Sequence, residues 1–368
     1  MVDLANAKES ALRVKPGCAT PAQPTDTLRG SKRREEISPG QLVQGILKGD
    51  RSVLARAITL MESSRASDRQ VAEQIIEGCL PASGNSIRVG VTGVPGAGKS
   101  SLIEALGKYL ITQRNEKVAV LAIDPSSQLS GGSILGDKTR MTYLASSDMA
   151  FIRPSPSRGT HGGVAQNTRE AILLCEAAGY KNILVETVGV GQSEAAVREM
   201  VDFFLLVTLA GAGDELQGIK RGVMEMADLV VVNKADGDNL RACERARTEA
   251  ENALHFLAAS PSGWVPRAIA CSAKTDRGVA DLWSCVLEFT TVTKACGGFA
   301  QARQEQARRS MHENVEQGLK QLFRSDPVIQ QRMAKLEQEV LARQTTAGRA
   351  VRDLLEFFAS RITSGSGN

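Results

Sequence analysis

The sequence has few of the side chains that build zinc or copper sites. It contains only three histidines, His161, His255 and His312, and its seven cysteines include no C-x-x-C pair. No group of cysteines and histidines therefore has the spacing of metal ligands. Several cysteines lie in apolar stretches, which favours buried, reduced thiols of a cytosolic protein over a disulfide framework.

Strong charge and long apolar runs are also missing. A net charge of +4 over 368 residues is too small to predict nucleic acid or an anionic membrane as a partner. No apolar stretch is long enough to cross a bilayer. The N-terminus lacks the basic start, apolar core and small-residue cleavage site of a secretory signal. We therefore expect a cytoplasmic protein.

Composition divides the chain into four segments. Residues 1–37 are polar and without a period, which predicts a disordered tail. Residues 38–84 follow a helical pattern in which Asp50 caps a second helix. Strand and helix patterns alternate over 85–295, and 296–362 is helical again. Three apolar stripes in this last segment allow it either to fold back on its own domain or to pair with a second copy.

Seven apolar stretches in the central segment predict the strands of one sheet. They are IRVGVTG, KVAVLAID, MAFIRP, NILVET, FFLLVTL, DLVVVNK and RAIACSA. Most are apolar almost throughout, as strands covered on both faces of a parallel sheet should be. Helical stretches separate them, for example at 99–113, 164–179 and 239–259. The sequence thus predicts an α/β protein with a doubly wound, mostly parallel sheet.

The stretch GVTGVPGAGKSS satisfies the phosphate-binding pattern G-x-x-x-x-G-K-[ST] between a predicted strand and a predicted helix. Glycines let backbone N–H groups approach phosphate closely, the lysine brings positive charge to the β and γ phosphates, and the serine hydroxyl ligates Mg²⁺. The helix N-terminus adds its positive dipole end. The predicted nucleotide contacts are Gly93, Pro95, Gly96, Ala97, Gly98, Lys99, Ser100 and Ser101.

Three carboxylates are candidates for the magnesium site beside Ser100. Asp124 and Glu186 each end a predicted strand, where α/β sheets collect their ligands, and Asp137 lies in a glycine-rich loop. Mg²⁺ usually takes one or two carboxylates together with phosphate oxygens and waters. One of the acids is then free to orient the attacking water. We expect catalysis to involve Lys99, Asp124 and Glu186.

The stretch VVVNKAD predicts that the base is guanine. A carboxylate at Asp236 accepts from guanine N1–H and N2–H₂, whereas adenine offers an acceptor at N1, and a charge-assisted hydrogen bond is worth about 1.5–3 kcal/mol. Lys234 covers the base and Asn233 braces the neighbouring loops. Ser272 and Ala273 are the last two residues of the stretch RAIACSA, and Lys274 follows them. The backbone N–H groups of Ser272 and Ala273 are placed to donate to guanine O6.

Several segments together resemble the MeaB/ArgK/MMAA family of SIMIBI-class P-loop GTPases. They are GVPGAGKSS, AIDPSS, GGSILGDKTRM, RPSPSRGTHGGVA, ETVGVGQSE, GAGDELQGIKRG and NKAD. The similarity covers about residues 40–360 and is densest over 87–240. It implies a GTP-hydrolysing chaperone of an adenosylcobalamin-dependent acyl-CoA mutase, such as methylmalonyl-CoA mutase. It also implies a homodimer held largely by the C-terminal helices.

The resemblance assigns further roles to loops and partners. It implies that GTP is coupled to delivery of adenosylcobalamin from an ATP:cob(I)alamin adenosyltransferase and to protection or reactivation of the mutase. It matches Asp124, Asp137 and Glu186 to metal and switch carboxylates. The implied switch residues are Gly189, Gln192, Asp214, Glu215, Gln217 and Lys220. Because no histidine has an aspartate two residues before it, the Asp-x-His-x-x-Gly motif of cobalamin-binding domains is missing. We expect no cobalamin to be bound by this chain itself.

Two other P-loop functions are weighed against this one. A kinase acting on a transport-system protein would transfer phosphate to an acceptor, and a metallochaperone GTPase would carry a segment rich in cysteine and histidine. The N-K-x-D motif argues against ATP as the substrate of a kinase, and no such metal-binding segment occurs. No in-cis arginine finger is obvious, although Arg140, Arg153 and Arg158 are expected in loops that can approach the phosphates.

Overall fold

The structure is a computed structural model and describes residues 38–63, 65–124, 141–156, 161–187, 194–211, 221–256 and 263–365. Pro39 to Asn368 form one unit. In chain order its helices are α1 Pro39–Leu47, α2 Arg51–Met61, α3 Ala66–Cys79, α4 Lys99–Arg114, α5 Thr142–Ser146, α6 His161–Ala177, α7 Glu194–Arg198, α8 Arg221–Glu225, α9 Leu240–His255, α10 Val279–Ala295, α11 Gly298–Ser325, α12 Pro327–Leu341 and α13 Ala347–Gly365.

The strands form a single parallel sheet. They are β1 Ile87–Gly93, β2 Val118–Asp124, β3 Ala150–Pro156, β4 Asn182–Thr187, β5 Phe203–Leu209, β6 Leu229–Asn233 and β7 Arg267–Ala270. Their order is β3-β2-β4-β1-β5-β6-β7, and every neighbouring pair is parallel. The predicted α/β sheet is confirmed. Six of the seven predicted stretches contain one strand each, and β3 continues two residues beyond the predicted MAFIRP, to Pro156.

The central strands are apolar because helices cover both faces of the sheet. Every residue of β4 and β6 is buried, and β5 is buried except at Leu209. The few aromatic side chains are concentrated beside this core: Phe203, Trp264 and Phe289 pack edge to face, with ring centroids 5.1–6.4 Å apart. Such burial on both sides is the condition that makes a strand read as a continuous apolar run.

The N-terminal helices share the core of the sheet. Leu42, Ile46, Leu54 and Ile58 are almost fully buried in the same apolar cluster as the strands. The side chain of Asp50 accepts hydrogen bonds from the backbone N–H groups of residues 52 and 53 at 2.8 and 3.1 Å. The predicted cap of α2 is therefore confirmed.

The C-terminal helices extend from the sheet with much less burial. None of the described residues of α11, a helix of 28 residues, is fully buried. Its predicted apolar stripe is exposed, with exposed fractions of 52–61% at Met311, Val315, Leu319 and Leu322. Asp326 caps α12 and Pro327 occupies its first turn.

Two further expectations have structural outcomes. Arg153 lies in β3 rather than in a loop, and its guanidinium pairs with Glu62 on α2, so its predicted loop position is wrong. The six cysteines in the described ranges are free thiols, and Cys79, Cys175 and Cys271 are among the four that are buried. No helix within the described part of the chain has the length and apolar character to span a membrane.

Candidate nucleotide-binding site

Strand order gathers the predicted phosphate, base and metal residues at the carboxyl edge of the sheet. The phosphate loop follows β1, the N-K-A-D stretch follows β6, and Ser272 follows β7, so the base loops lie on one side of β1. Strand β4 lies on the other side and carries Glu186, which is in register with Val91 of β1. Carboxyl ends of parallel strands are where such sheets bind ligands.

The phosphate loop depends on glycine at two positions where a side chain has no room. Gly93 has φ of 149°, and a Cβ there would lie 2.0 Å from the backbone oxygen of Val207. Gly98 has φ of 83°, and a Cβ there would lie 2.7 Å from Asn233 Nδ2. Between them Pro95 and Gly96 are exposed and Ala97 is buried. This loop leads directly into α4, whose N-terminus supports an anion.

Lys99 is the buried cation of this loop. Its side chain folds back so that Nζ donates to the backbone oxygens of Gly93 and Val94 at 2.9 and 3.3 Å. Burial lowers the pKa of Lys99, and the negative charges of Glu186 and Glu194 act in the opposite direction. The ammonium is therefore held at the centre of the loop, next to two carboxylates. Ser101 is exposed in the same first turn.

Ser100 and Glu186 form the oxygen pair expected at a magnesium site. Ser100 Oγ donates to Glu186 Oε1 at 2.8 Å, and the Glu186 side chain is buried. A hydroxyl and a carboxylate are the hard oxygen ligands that Mg²⁺ prefers. Asp124 is the last residue of β2, the strand next to β4, although its side chain lies outside what the structure describes. Asp137 also falls outside the described residues.

Asn233 connects the phosphate loop to both base loops. Its Nδ2 donates to the backbone oxygen of Ala97 at 2.8 Å, and its Oδ1 accepts from the backbone N–H of Ala273 at 3.3 Å. The side chain is 1% exposed. These two hydrogen bonds are consistent with the predicted role of Asn233 in bracing the neighbouring loops.

Asp236 is held by a serine side chain. Its Oδ2 accepts a short hydrogen bond from Ser272 Oγ, and that hydroxyl accepts from the backbone N–H of Thr275 at 3.3 Å. The backbone N–H of Ser272 is already used, because it donates to Arg277 at 2.9 Å. Ser272 thus orients the Asp236 carboxylate through its hydroxyl, and its N–H is engaged instead of being available for guanine O6. Lys274 is exposed beside this turn.

Two site residues were not singled out by the sequence. Asn239 Nδ2 donates to the backbone oxygen of Lys234 at 3.0 Å, and Lys234 has a left-handed φ of 63°. Glu194 is buried at the start of α7. Its negative charge opposes the lowering of the Lys99 pKa that burial causes. For Asn239 the local signal is a polar residue just after N-K-x-D. Glu194 has no such signal, because only folding brings it near Lys99.

The predicted switch residues cannot be placed. Gly189, Gln192, Asp214, Glu215, Gln217 and Lys220 all lie outside the described residues. The structure does describe the residues on either side of the two segments that contain them. One segment runs between Thr187 of β4 and Glu194 of α7, and the other between Gly211 and Arg221 of α8.

The same combination of motifs is found in a known family. The family model described as "Methylmalonyl Co-A mutase-associated GTPase MeaB" matches residues 54–328. The chain belongs to the MeaB family. The match runs from within α2 through the whole sheet and α11 to the start of α12, so it includes every element of the candidate nucleotide site.

Individual relatives of this MeaB-family chain agree over most of their length. GTPase ArgK of Escherichia coli (strain K12) is 44% identical over 330 residues, which cover 89% of this chain and 98% of ArgK. The "Methylmalonic aciduria type A homolog, mitochondrial" of Mus musculus is 43% identical over 346 residues, covering 91% and 83% of the two chains. A crystal structure of LAO/AO transport system kinase superposes with a TM-score of 0.69 at 38% identity, over 87% of this chain and 97% of that one.

These similarities and the fold establish the class of protein. The chain is a P-loop GTPase of the SIMIBI class, in a family linked to methylmalonyl-CoA mutase. The phosphate loop, the Ser100–Glu186 pair and the Asp236–Ser272 pair occupy one edge of one sheet. Members of this family hydrolyse GTP to GDP and phosphate, and this edge carries the residues that the sequence predicts for that reaction.

Proposed function

We propose that this GTPase is a chaperone of an adenosylcobalamin-dependent acyl-CoA mutase, methylmalonyl-CoA mutase or a close relative. In this role GTP binding and hydrolysis gate the delivery of adenosylcobalamin and protect or reactivate the mutase. The match to the MeaB family over residues 54–328 carries the proposal. An ATP:cob(I)alamin adenosyltransferase is the second proposed partner, since it would supply the cofactor, and no cobalamin is proposed to bind to this chain itself.

The geometry supports a switch that uses magnesium. Ser100 and Glu186 would hold Mg²⁺, which supplies charge neutralisation at the β and γ phosphates when bound. Lys99 would contact the same phosphates, and Asp124 and Asp137 are proposed as further metal or water-orienting acids. Because Glu186 is the second-last residue of β4 and the predicted switch residue Gly189 lies three positions further on, a change at the γ-phosphate would be transmitted directly into the switch segment.

The proposal is tested by measuring phosphate release with and without a purified mutase. The chain is incubated with Mg²⁺ and GTP labelled at the γ-phosphate, in the presence and absence of the candidate mutase. We expect stimulation, because a partner that completes the site of a related switch adds about 10³–10⁵ in rate. The Lys99→Ala variant serves as the matched control, since it should show little turnover in either condition.

The same experiment separates the chaperone from the second candidate, a kinase for a transport-system protein. That candidate is favoured by the similarity to LAO/AO transport system kinase. Label that appears on protein instead of as free phosphate would support the kinase. Turnover that stays flat at saturating mutase, together with no co-sedimentation of the two proteins, would contradict the chaperone proposal.

The homodimer is part of the proposal and is supported by the exposed stripe on α11. Met311, Val315, Leu319 and Leu322 recur at helical spacing and are each more than half exposed. A contiguous apolar surface of this kind on a soluble protein commonly marks a protein interface. Leu319→Glu should convert the dimer to a monomer in analytical ultracentrifugation, whereas Lys320→Glu on the next position should not. A wild-type chain that sediments as a monomer would contradict this part.

We also propose that the protein is located in the cytoplasm.

A further inference from the structure

A second cleft lies at the opposite edge of the sheet from the nucleotide site. We call it the basal cleft. The turns that precede β1, β2 and β4 form it together with α10 and the start of α11, and its volume is about 860 Å³. The side chains that define it are Lys117, Lys181, Trp283, Leu287, Lys294 and Phe299. The length of β1 separates it from the phosphate loop by roughly 20 Å.

The basal cleft carries an excess of positive charge. Within the described ranges, none of Lys117, Lys181 and Lys294 forms an ion pair with a carboxylate. Glu116 is the acid in the lining, and its oxygens accept from Asn182 Nδ2 at 2.9 Å and from Arg114 at 3.3 Å. Several unpaired cations around one concave surface raise the local concentration of anions.

Two of these lysines are held over aromatic rings. Lys117 Nζ lies 5.8 Å from the ring centroid of Tyr180, and Lys294 Nζ lies 5.1 Å from that of Phe299. A ring face restrains an ammonium group without neutralising its charge. The two cations are therefore placed by the fold and remain available to an anion.

Trp283 carries a buried hydrogen-bond donor that has no acceptor among the described residues. The side chain lines the basal cleft and is 1% exposed, and its indole Nε1 has no hydrogen-bond partner among the described residues. The other tryptophan behaves normally, because Trp264 Nε1 donates to the backbone oxygen of Asp228 at 3.0 Å. Buried tryptophan N–H groups usually find an acceptor, and the described residues provide none for Trp283.

We propose that the basal cleft binds a small organic phosphate that carries two or more phosphate groups. Lys117, Lys181 and Lys294 contact the phosphate oxygens, and the Trp283 indole donates to an acceptor atom of the ligand. Leu287 and Phe299 provide an apolar wall for the organic part. The volume is in the range of small-molecule sites, about 300–1,000 Å³. This site is independent of the mutase proposal and of the GTPase site.

Calorimetry with inorganic pyrophosphate as the probe tests the site. The full chain is saturated with GDP so that the phosphate loop is occupied, and magnesium is omitted because pyrophosphate would chelate it. We expect binding with a dissociation constant below about 1 mM at physiological ionic strength. A parallel titration with a fluorescent GDP analogue should show that the nucleotide is not displaced. Displacement of that analogue would overturn the proposal, because the probe would then be in the phosphate loop.

Variants then locate the binding. Lys117→Gln combined with Lys294→Gln should weaken pyrophosphate binding at least about tenfold, since two charge-assisted contacts are lost. The matched control is Lys320→Gln combined with Lys335→Gln, which removes the same charge from exposed positions on α11 and α12 and should leave binding unchanged. Equal loss in both pairs would reduce the effect to non-specific attraction and overturn the proposal, as would no binding by the wild-type chain.

Trp283→Phe separates a ligand contact from a structural role. It keeps the aromatic body and removes only the indole N–H, so it should weaken binding about threefold to tenfold without lowering the melting temperature. Unchanged affinity would remove Trp283 from the site. A lower melting temperature with a normal affinity would show that the indole serves packing instead.

Discussion

Arg303 on α11 donates two hydrogen bonds to Asp202, from Nε to Oδ1 and from Nη2 to Oδ2, each 2.7 Å long. The same guanidinium donates to the backbone oxygens of Gly84 and Ser86, which precede β1. Nearby, Gln306 donates to the backbone oxygen of Val201 at 2.8 Å. The first turns of α11 are therefore attached to the turn between α7 and β5 and to the residues that lead into β1.

Replacing Arg303 by alanine should destabilise the chain strongly. The Asp202 side chain is 3% exposed. Removing Arg303 leaves this buried carboxylate without its charged partner and with the backbone N–H of Arg88 at 2.8 Å, which costs about 3–5 kcal/mol. Urea unfolding followed by circular dichroism measures the change. Arg308→Ala, which removes only an exposed pair with Glu305 within the same helix, is the control and should have a much smaller effect. Equal midpoints for the two variants would contradict the proposed attachment.

Asp236→Asn should change the preferred base from guanine to xanthine. The carboxylate accepts from two guanine donors, and an amide offers a donor that suits the xanthine oxygen in place of the 2-amino group. We expect GTP binding to weaken by about 1.5–3 kcal/mol and xanthosine triphosphate to be hydrolysed instead. Competition binding with both nucleotides checks this. Guanine selectivity that survives the substitution would mean that another group reads the base.

Asn239→Ala should weaken GDP binding about fivefold to tenfold, because one hydrogen bond to the left-handed Lys234 backbone is lost. The side chain of Lys234 and the Asp236 carboxylate both depend on that turn. Fluorescence titration with a GDP analogue measures the effect. Asp238→Ala, in the same short turn, is the control. If both variants bind GDP like the wild type, the turn is rigid without Asn239.

Gly93→Ala should prevent stable folding, since its Cβ would lie 2.0 Å from the backbone oxygen of Val207 in the neighbouring strand. Gly96→Ala is the informative comparison: its φ of 77° is also left-handed, but nothing lies within 4 Å of its Cβ. We expect it to cost only about 1–2 kcal/mol. Soluble expression and thermal melting distinguish the two. A Gly93→Ala chain that melts like Gly96→Ala would show that β1 and β5 can separate at this point.

Asp228 should give the stability a specific pH dependence. Burial raises the pKa of Asp228 from 3.8 to about 6, although the charge of Arg198 and the Phe204 N–H act to lower it. A carboxyl whose folded pKa exceeds its unfolded value favours folding when protonated, so its contribution is present below pH 4 and is lost as the pH rises through 6.

The Asp228→Asn variant, which does not titrate there, isolates this group. Between pH 4 and pH 7 the free energy of unfolding of the wild type should fall relative to the variant by up to about 3 kcal/mol. Chemical denaturation at the two pH values gives the difference. The opposite sign would show that the Arg198 ion pair, at 2.9 Å, dominates over burial and keeps the carboxyl ionised in the folded protein.

The sequence predicts the strands well because the central ones are buried on both faces. IRVGVTG corresponds residue for residue to β1, and NILVET to β4. The last prediction is too long: RAIACSA continues beyond β7, which ends at Ala270, because the next residues turn to hold Asp236 through Ser272. An apolar pattern records burial and does not record where pairing with a neighbour stops.

Helix positions follow from the sequence, whereas long-range side-chain pairs do not. The helix predicted at 99–113 occupies Lys99–Arg114, and the one predicted at 164–179 occupies His161–Ala177. The pattern around Arg303 indicates a helix but gives no reason to expect Asp202 as a partner, since the two are 101 positions apart. Glu194 and Trp283 are similar cases, in which the fold and not the local sequence creates the environment.

The single side chain of Asn233 has an evolutionary consequence. Because it joins the phosphate loop at Ala97 to the base loop at Ala273, any replacement disturbs two recognition tasks together. Asp236 has one described side-chain partner, Ser272, so a change of base preference disturbs less of the structure at position 236 than at position 233. Within the N-K-A-D motif we therefore expect the choice of base to vary through Asp236 and not through Asn233.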